Sequence, residues 1–225
     1  LDLACRKLTL GHNKVCGLTR IEDILAVAKA GAVYGGLIFA KKSPRAVTAQ
    51  QAQDLVEQLK QTGIKLSLVG VFVNEAVDVI AKLAIDLGLF AVQLHGKETE
   101  LEIAELTAIF AKQNCQTQIW KAIAVNTDVE GNNGDELVIP EGIDRVVFDS
   151  KSDGQFGGTG QCFDWQKVLP SKELALLAGG LSPDNAVQAA NQGFYGLDFN
   201  SGLEQSPGIK DANKITETFA LLRQY

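Results

Sequence analysis

Apolar residues in this chain gather into short runs rich in β-branched and aromatic side chains, and most runs are followed by a stretch with helical spacing. The runs fall at residues 14–16, 33–39, 66–73, 90–94, 117–121, 145–149, 174–178 and 196–199, which predicts eight strands. Helical patterns occupy 21–30, 48–59, 75–87, 98–112, 183–192 and 209–223. Several have recognisable starts. Thr19 with Glu22 and Thr48 with Gln51 fit capping boxes, and Ser182-Pro183 places a cap before a proline at the first helical position. Residues 126–142, rich in Gly, Asn and acidic side chains, read as a loop with at most a short helix, and 164–168 read as a turn or two.

The run at 66–73 is apolar without strict alternation, as expected of a parallel strand covered on both faces. Eight strand–helix units exhaust the chain, and no Pro/Gly/Ser linker interrupts them. Closure into a single α/β domain, a (βα)8 barrel, therefore follows more naturally than an open doubly wound sheet, which would want G-x-G-x-x-G after its first strand. Here that strand leads into Cys16-Gly17-Leu18-Thr19-Arg20 instead. Residues 1–12 are read as an appendage and 13–225 as the barrel. A start at Leu1, with no initiator Met and no signal-peptide layout, suggests a piece of a longer polypeptide.

Composition narrows the partners. A net charge of −6 and an isoelectric point near 5.0, with the basic residues scattered, leave no stripe to track a nucleic-acid backbone. No run approaches the ~20 apolar residues that span a bilayer. Cys5, Cys16, Cys115 and Cys162 form no C-x-x-C pair, so neither structural zinc nor a disulfide framework is expected, and a reducing cytoplasm is the expected compartment.

In such a barrel the chemistry belongs at the C-terminal ends of the strands. Gly157-Gly158-Thr159-Gly160, Gly179-Gly180 and Asn200-Ser201-Gly202 follow the sixth, seventh and eighth strands. Glycines let backbone N–H groups converge on an anion, so the three loops together point to a phosphorylated small molecule, although each alone could simply serve a turn. Cys16 ends the first strand, either as an inert core thiol or as a base or nucleophile. Asp149 ends the sixth, either capping its loop or acting as an acid opposite Cys16. A thiol and a carboxyl group on two sides of one substrate suit a reaction that moves protons between its atoms. Arg45 follows a proline and can fork to a carboxylate or hold a loop ion pair. His95 reads as a hydrogen-bonding group rather than a metal ligand, and Asp198 as a partner of loop backbone.

The motifs N-K-V-C-G-L-T-R at 13–20, G-G-L-I-F at 35–39 with S-P-R at 43–45, V-G-V-F at 69–72, Q-L-H-G at 93–96, Asp149 with G-G-T-G at 157–160 and F-D-W at 163–165, L-A-G-G-L at 177–181, and G-L-D-F-N-S-G-L-E at 196–204 with P-G-I-K-D at 207–211 resemble phosphoribosylanthranilate isomerases. The resemblance covers residues 13–225. It implies an Amadori rearrangement of N-(5′-phosphoribosyl)anthranilate with Cys16 as general base and Asp149 as general acid, and no metal or cofactor. It also implies that Arg45 engages the anthranilate carboxylate, and substrate contacts are expected at His95, Gly158, Thr159, Gly160, Gly179, Gly180, Asp198, Asn200 and Ser201. The opening resembles the form in which this barrel is fused behind indole-3-glycerol-phosphate synthase, in which it is expected to be monomeric. Another phosphosugar isomerase or epimerase, and a barrel kept only as a structural partner, are the alternative readings.

Overall fold

The computed structural model describes residues 12–126, 139–151 and 171–224. Eight parallel strands close into a barrel in chain order, β1 (Lys14–Val15), β2 (Tyr34–Ile38), β3 (Ser67–Phe72), β4 (Ala91–Leu94), β5 (Gln118–Asn126), β6 (Arg145–Lys151), β7 (Ala175–Ala178) and β8 (Gly196–Phe199). The ring closes through β1, where Lys14 pairs with Tyr34 on one side and Asp198 on the other. All eight predicted strands are present. β5 runs five residues past its predicted end, because Ala122 to Asn126 continue the ladder against Val147 to Lys151 of β6.

Strand side chains alternate between two faces, and the barrel accordingly has two apolar populations. Leu37, Phe72, Leu94, Phe148, Leu197 and Phe199 point outward into the layer shared with the helices. Tyr34, Val69, Ala91, Trp120, Val147 and Leu176 fill the lumen, with the Trp120 ring edge-on to Tyr34 at 5.0 Å. The lower lumen is thus a packed floor, with Lys14, Gln93 and Asp198 above it.

Six helices lie among the described residues: α1 (Ile21–Ala30), α2 (Ala49–Thr62), α3 (Val77–Leu87), α4 (Glu100–Lys112), α5 (Ala186–Ala190) and α6 (Ala212–Gln224). The Thr48–Gln51 capping box forms as predicted, and a second joins Thr99 to Glu102. The box predicted at Thr19 does not form. Thr19 gives its hydroxyl to the Gly208 carbonyl, and α1 begins after Arg20 without a side-chain cap. Pro183 is not the first residue of a helix, since Asn185 accepts from the Ser182 N–H and donates to the Gly180 carbonyl. That closes a turn and leaves α5 short. The helix predicted from 209 starts at Ala212, because β9 (Glu204–Ser206) and β10 (Ile209–Lys210) pair antiparallel and Asp211 then caps Asn213 and Lys214.

Of the predicted appendage only His12 is described, and its ring stacks on Tyr195 at 4.0 Å under the barrel. Most of the loop predicted at 126–142 and the turn at 164–168 lie outside the described residues, as do Cys5 and Cys162. Trp120 is fully buried in the floor. Trp120→Ala should therefore cost about 3–5 kcal/mol in urea unfolding; a loss under about 1 kcal/mol would contradict a close-packed lumen.

Candidate active site

Side chains two apart on a strand share a face, so Lys14 and Cys16 both enter the lumen from the start of the chain, as do Gln93 and His95 from the fourth strand. Cys16 lies one residue past β1 and keeps its N–H on the Phe199 carbonyl at 2.8 Å, holding the thiol at the upper rim. Gly36 makes room for it, since a Cβ at that position would stand 2.7 Å from the sulfur. The next residue, Gly17, has φ +74°, and a side chain there would meet Arg45 and Asn200 at 2.7 Å each. This glycine lets the loops after β1, β2 and β8 converge.

Lys14 is wholly buried. Its ammonium donates to Asp198 Oδ2 on the neighbouring β8 at 2.7 Å and reaches across the lumen to Gln93 Oε1 on β4 at 2.8 Å. Burial alone would lower the lysine's affinity for its proton. The Asp198 carboxylate and the Cys16 sulfur beside it overturn that and hold the ammonium above the ordinary lysine value. Burial pushes the Asp198 carboxyl group above its ordinary value, and contact with the Lys14 ammonium pulls it part of the way back. The reading of Asp198 as a partner of loop backbone is corrected here. Its side chain faces the lumen, where an ammonium is the stronger partner, and its Oδ1 has no hydrogen-bond partner among the described residues.

Burial pushes the Cys16 thiol above its ordinary value of 9.0, Asp198 pushes it further, and Lys14 and Lys210 pull part of the way back. At neutral pH Cys16 of the resting protein is a thiol.

Asp149 ends up in the same mouth. Its Oδ2 stands 3.4 Å from His95 Nε2, and His95 Nδ1 lies 3.2 Å from Gln93 Nε2. The Asp149 and His95 side chains remain 12% and 23% exposed, open to an entering molecule. Lys121 fixes the loop above His95, donating to Glu98 at 2.6 Å and to the Gly96 carbonyl at 2.8 Å.

Arg45 is buried and forks onto Glu204 through Nε and Nη2, so the loop ion pair is its resting arrangement. Lys210 meets the same carboxylate at 2.9 Å and the Asn200 side chain at 3.1 Å. Burial opposes the Glu204 charge, but the two cations overcome it and hold this carboxyl below its usual range. Gly179 and Gly180 follow β7 in the left-handed region, at φ +91° and +65°, and Ser201 opens a 3-10 turn (Ser201–Leu203) after β8. The predicted contacts at Gly158, Thr159 and Gly160 lie outside the described residues.

Cys16, His95, Asp149 and Asp198 thus gather at one mouth, with Arg45, Asn200 and the Gly179-Gly180 turn on its rim. Sequence reasoning gave no role to Lys14, Gln93, Glu204 or Lys210. The two-residue spacing to Cys16 and His95 was the available signal for the first pair. The second pair depends on the β9–β10 hairpin, which is not a local pattern.

Residues 13–220 match the family model described as N-(5′-phosphoribosyl)anthranilate (PRA) isomerase. The chain is 48% identical to the tryptophan biosynthesis protein TrpCF of Haemophilus influenzae over 220 residues, covering 97% of this chain and 44% of that protein. It is 47% identical to TrpCF of Vibrio cholerae, covering 100% and 45%. It therefore spans less than half the length of these curated relatives. Among solved structures, phosphoribosyl anthranilate isomerase from Thermus thermophilus superposes with a TM-score of 0.78 at 28% identity, over 95% of this chain and 98% of that one.

The raised thiol carries a direct consequence. The thiolate absorbance lost in Cys16→Ser, taken as a difference against wild type, should titrate with a midpoint above 9.0 and move higher still in Lys14→Met; a wild-type midpoint below that value would contradict the account.

Proposed function

Because the chain belongs to the N-(5′-phosphoribosyl)anthranilate isomerase family, we propose that it catalyses the Amadori rearrangement of that compound to 1-(2-carboxyphenylamino)-1-deoxyribulose 5-phosphate, a step of tryptophan biosynthesis. What carries the reading is the meeting of a strand-end thiol, Cys16, and a strand-end carboxyl group, Asp149, at one partly open mouth, next to a cationic rim.

Asp149 acts as general acid. Its proton goes to the ribose ring oxygen as the C1′–O bond breaks, leaving a cationic Schiff base between C1′ and the anthranilate nitrogen. That cation acidifies C2′–H and, lying by the sulfur, favours the thiolate over the thiol, whose own proton leaves to solvent. Cys16 then takes the C2′ proton, giving the enolamine, which becomes the ketose as O2′ gives up its proton and C1′ gains one. Asp149 recovers a proton before the next turnover. Lys14 and Lys210 keep the sulfur's anionic form within reach despite its burial.

Binding follows from the remaining charges. Lys14, Arg45 and Lys210 bring three cations to the site of a chain that is acidic overall, set among the carboxyl groups of Glu204, Asp198 and Asp149. Arg45 meets the anthranilate carboxylate, and Asp198 Oδ1 accepts from a sugar hydroxyl. The turns at Gly179-Gly180 and Asn200-Ser201, together with Gly158, Thr159 and Gly160, cradle the phosphate, in the usual position for this fold. His95 supports Asp149. The length of the TrpCF relatives supports reading the barrel as one part of a longer bifunctional polypeptide, with indole-3-glycerol-phosphate synthase as its fused neighbour.

Loss of phosphoribosylanthranilate fluorescence on adding the purified chain tests the activity. Cys16→Ala and Asp149→Ala should each lower kcat by about 10²–10⁴-fold while unfolding stays near wild type; a variant that keeps most of its turnover would remove that residue from the mechanism.

A further inference from the structure

A run of polar contacts crosses the lumen from the thiol to the carboxyl group. The Lys14 ammonium lies beside the Cys16 sulfur and donates to Asp198 Oδ2 and Gln93 Oε1, the other end of the Gln93 amide faces His95 Nδ1, and His95 Nε2 faces Asp149 Oδ2. The donor and acceptor capacities of these groups leave a single consistent pattern. An ammonium only donates, so the Gln93 atom at 2.8 Å from Lys14 must be the carbonyl oxygen. The amide NH₂ then points at His95 Nδ1, 3.2 Å away. A ring nitrogen facing an N–H donor must offer its lone pair, so Nδ1 carries no hydrogen and the ring proton of a neutral imidazole sits on Nε2.

We infer that Lys14 and Gln93 act as positioning residues that lock His95 in its neutral Nε2–H tautomer, so that His95 donates to Asp149 Oδ2 and the acid proton of Asp149 is carried on Oδ1. The inference rests on the proposed function only for what the proton on Oδ1 does. With Oδ2 taken as an acceptor by the imidazole, the carboxyl group has one orientation in which to present an O–H to a substrate. At 3.4 Å the His95–Asp149 contact is long in the resting protein, as catalytic hydrogen bonds often are before substrate enters. The buried Gln93, 1% exposed, is held where a glutamine would otherwise be free to turn over.

The chain's two histidines, His12 and His95, make this directly readable. Long-range ¹H–¹⁵N correlation spectra of the ¹⁵N-histidine-labelled chain, recorded above the ordinary imidazole titration range and assigned with His12→Gln, should show His95 as the Nε2–H tautomer. Gln93→Glu offers a carboxylate to both Lys14 and the ring, and should move the hydrogen to Nδ1 or place one on each nitrogen. Gln93→Met removes the lock and should give a mixture. Gln93→Glu should also lower kcat about 10–100-fold, with KM much less affected. An Nδ1–H pattern in the wild type, or a tautomer unchanged in both variants, would overturn the lock, and an undiminished kcat in Gln93→Glu would overturn its link to Asp149. The spectra are read on resting protein. A wild-type chain that failed to isomerise would therefore remove the proposed function and leave the tautomer assignment standing.

Discussion

A lysine ammonium sits inside a barrel whose lower lumen is packed with Tyr34, Val69, Trp120 and Leu176, and the site above it depends on how that charge is satisfied. Removing such an ion from water costs several kcal/mol unless an opposite charge and further acceptors surround it. Lys14 meets that condition by drawing Asp198 from the adjacent strand and Gln93 from the far side of the ring. Three strands are thereby tied across the barrel at one level. The thiol of Cys16 and the ring of His95 each stand two residues further along, one layer up, so the ammonium layer is the base on which the reactive groups rest.

The same layer explains how a chain with a net charge of −6 can hold an anionic substrate. The field that matters is local, and Lys14, Arg45 and Lys210 bring three cations to the mouth. Glu204 is central to that balance. Shared between Arg45 and Lys210, it keeps two buried cations from facing each other unpaired, and the β9–β10 hairpin that carries Glu204 and Lys210 exists to bring them over the rim. Burial of the Cys16 sulfur sets an opposing demand, since it favours the thiol that the proposed mechanism must deprotonate. Keeping the base neutral until a cationic intermediate forms beside it protects a buried site from an uncompensated anion.

Much of this was legible in the sequence where the governing interaction is local. Period and composition located all eight strands, and the strand ends placed Cys16, His95 and Asp149 at one face, because a barrel of parallel strands leaves its C-terminal ends on one side. The Thr48 cap was readable since both partners lie within one turn. The Thr19 cap was not, because Gly208, far along the chain, takes the hydroxyl. For the same reason Ile209 and Lys210 read as helix when their partners are Glu204 and Ser206, and Asp198 read as a loop-binding carboxylate when its partner is a lysine on the first strand. Lys14 itself looked like an ordinary polar residue in a strand. Only closure of the ring, which no window of sequence contains, turns it inward and wholly away from water.

The central claim is that one small molecule touches the Cys16 sulfur and the Asp149 carboxyl group at once. A crystal structure of this chain with reduced 1-(o-carboxyphenylamino)-1-deoxyribulose 5-phosphate is the most direct measurement. The account predicts Cys16 Sγ about 3–3.5 Å from C2′ and an Asp149 oxygen within hydrogen-bonding reach of the oxygen on C4′. A ligand seated with its phosphate on the rim but with either group too far to reach its atom would contradict it.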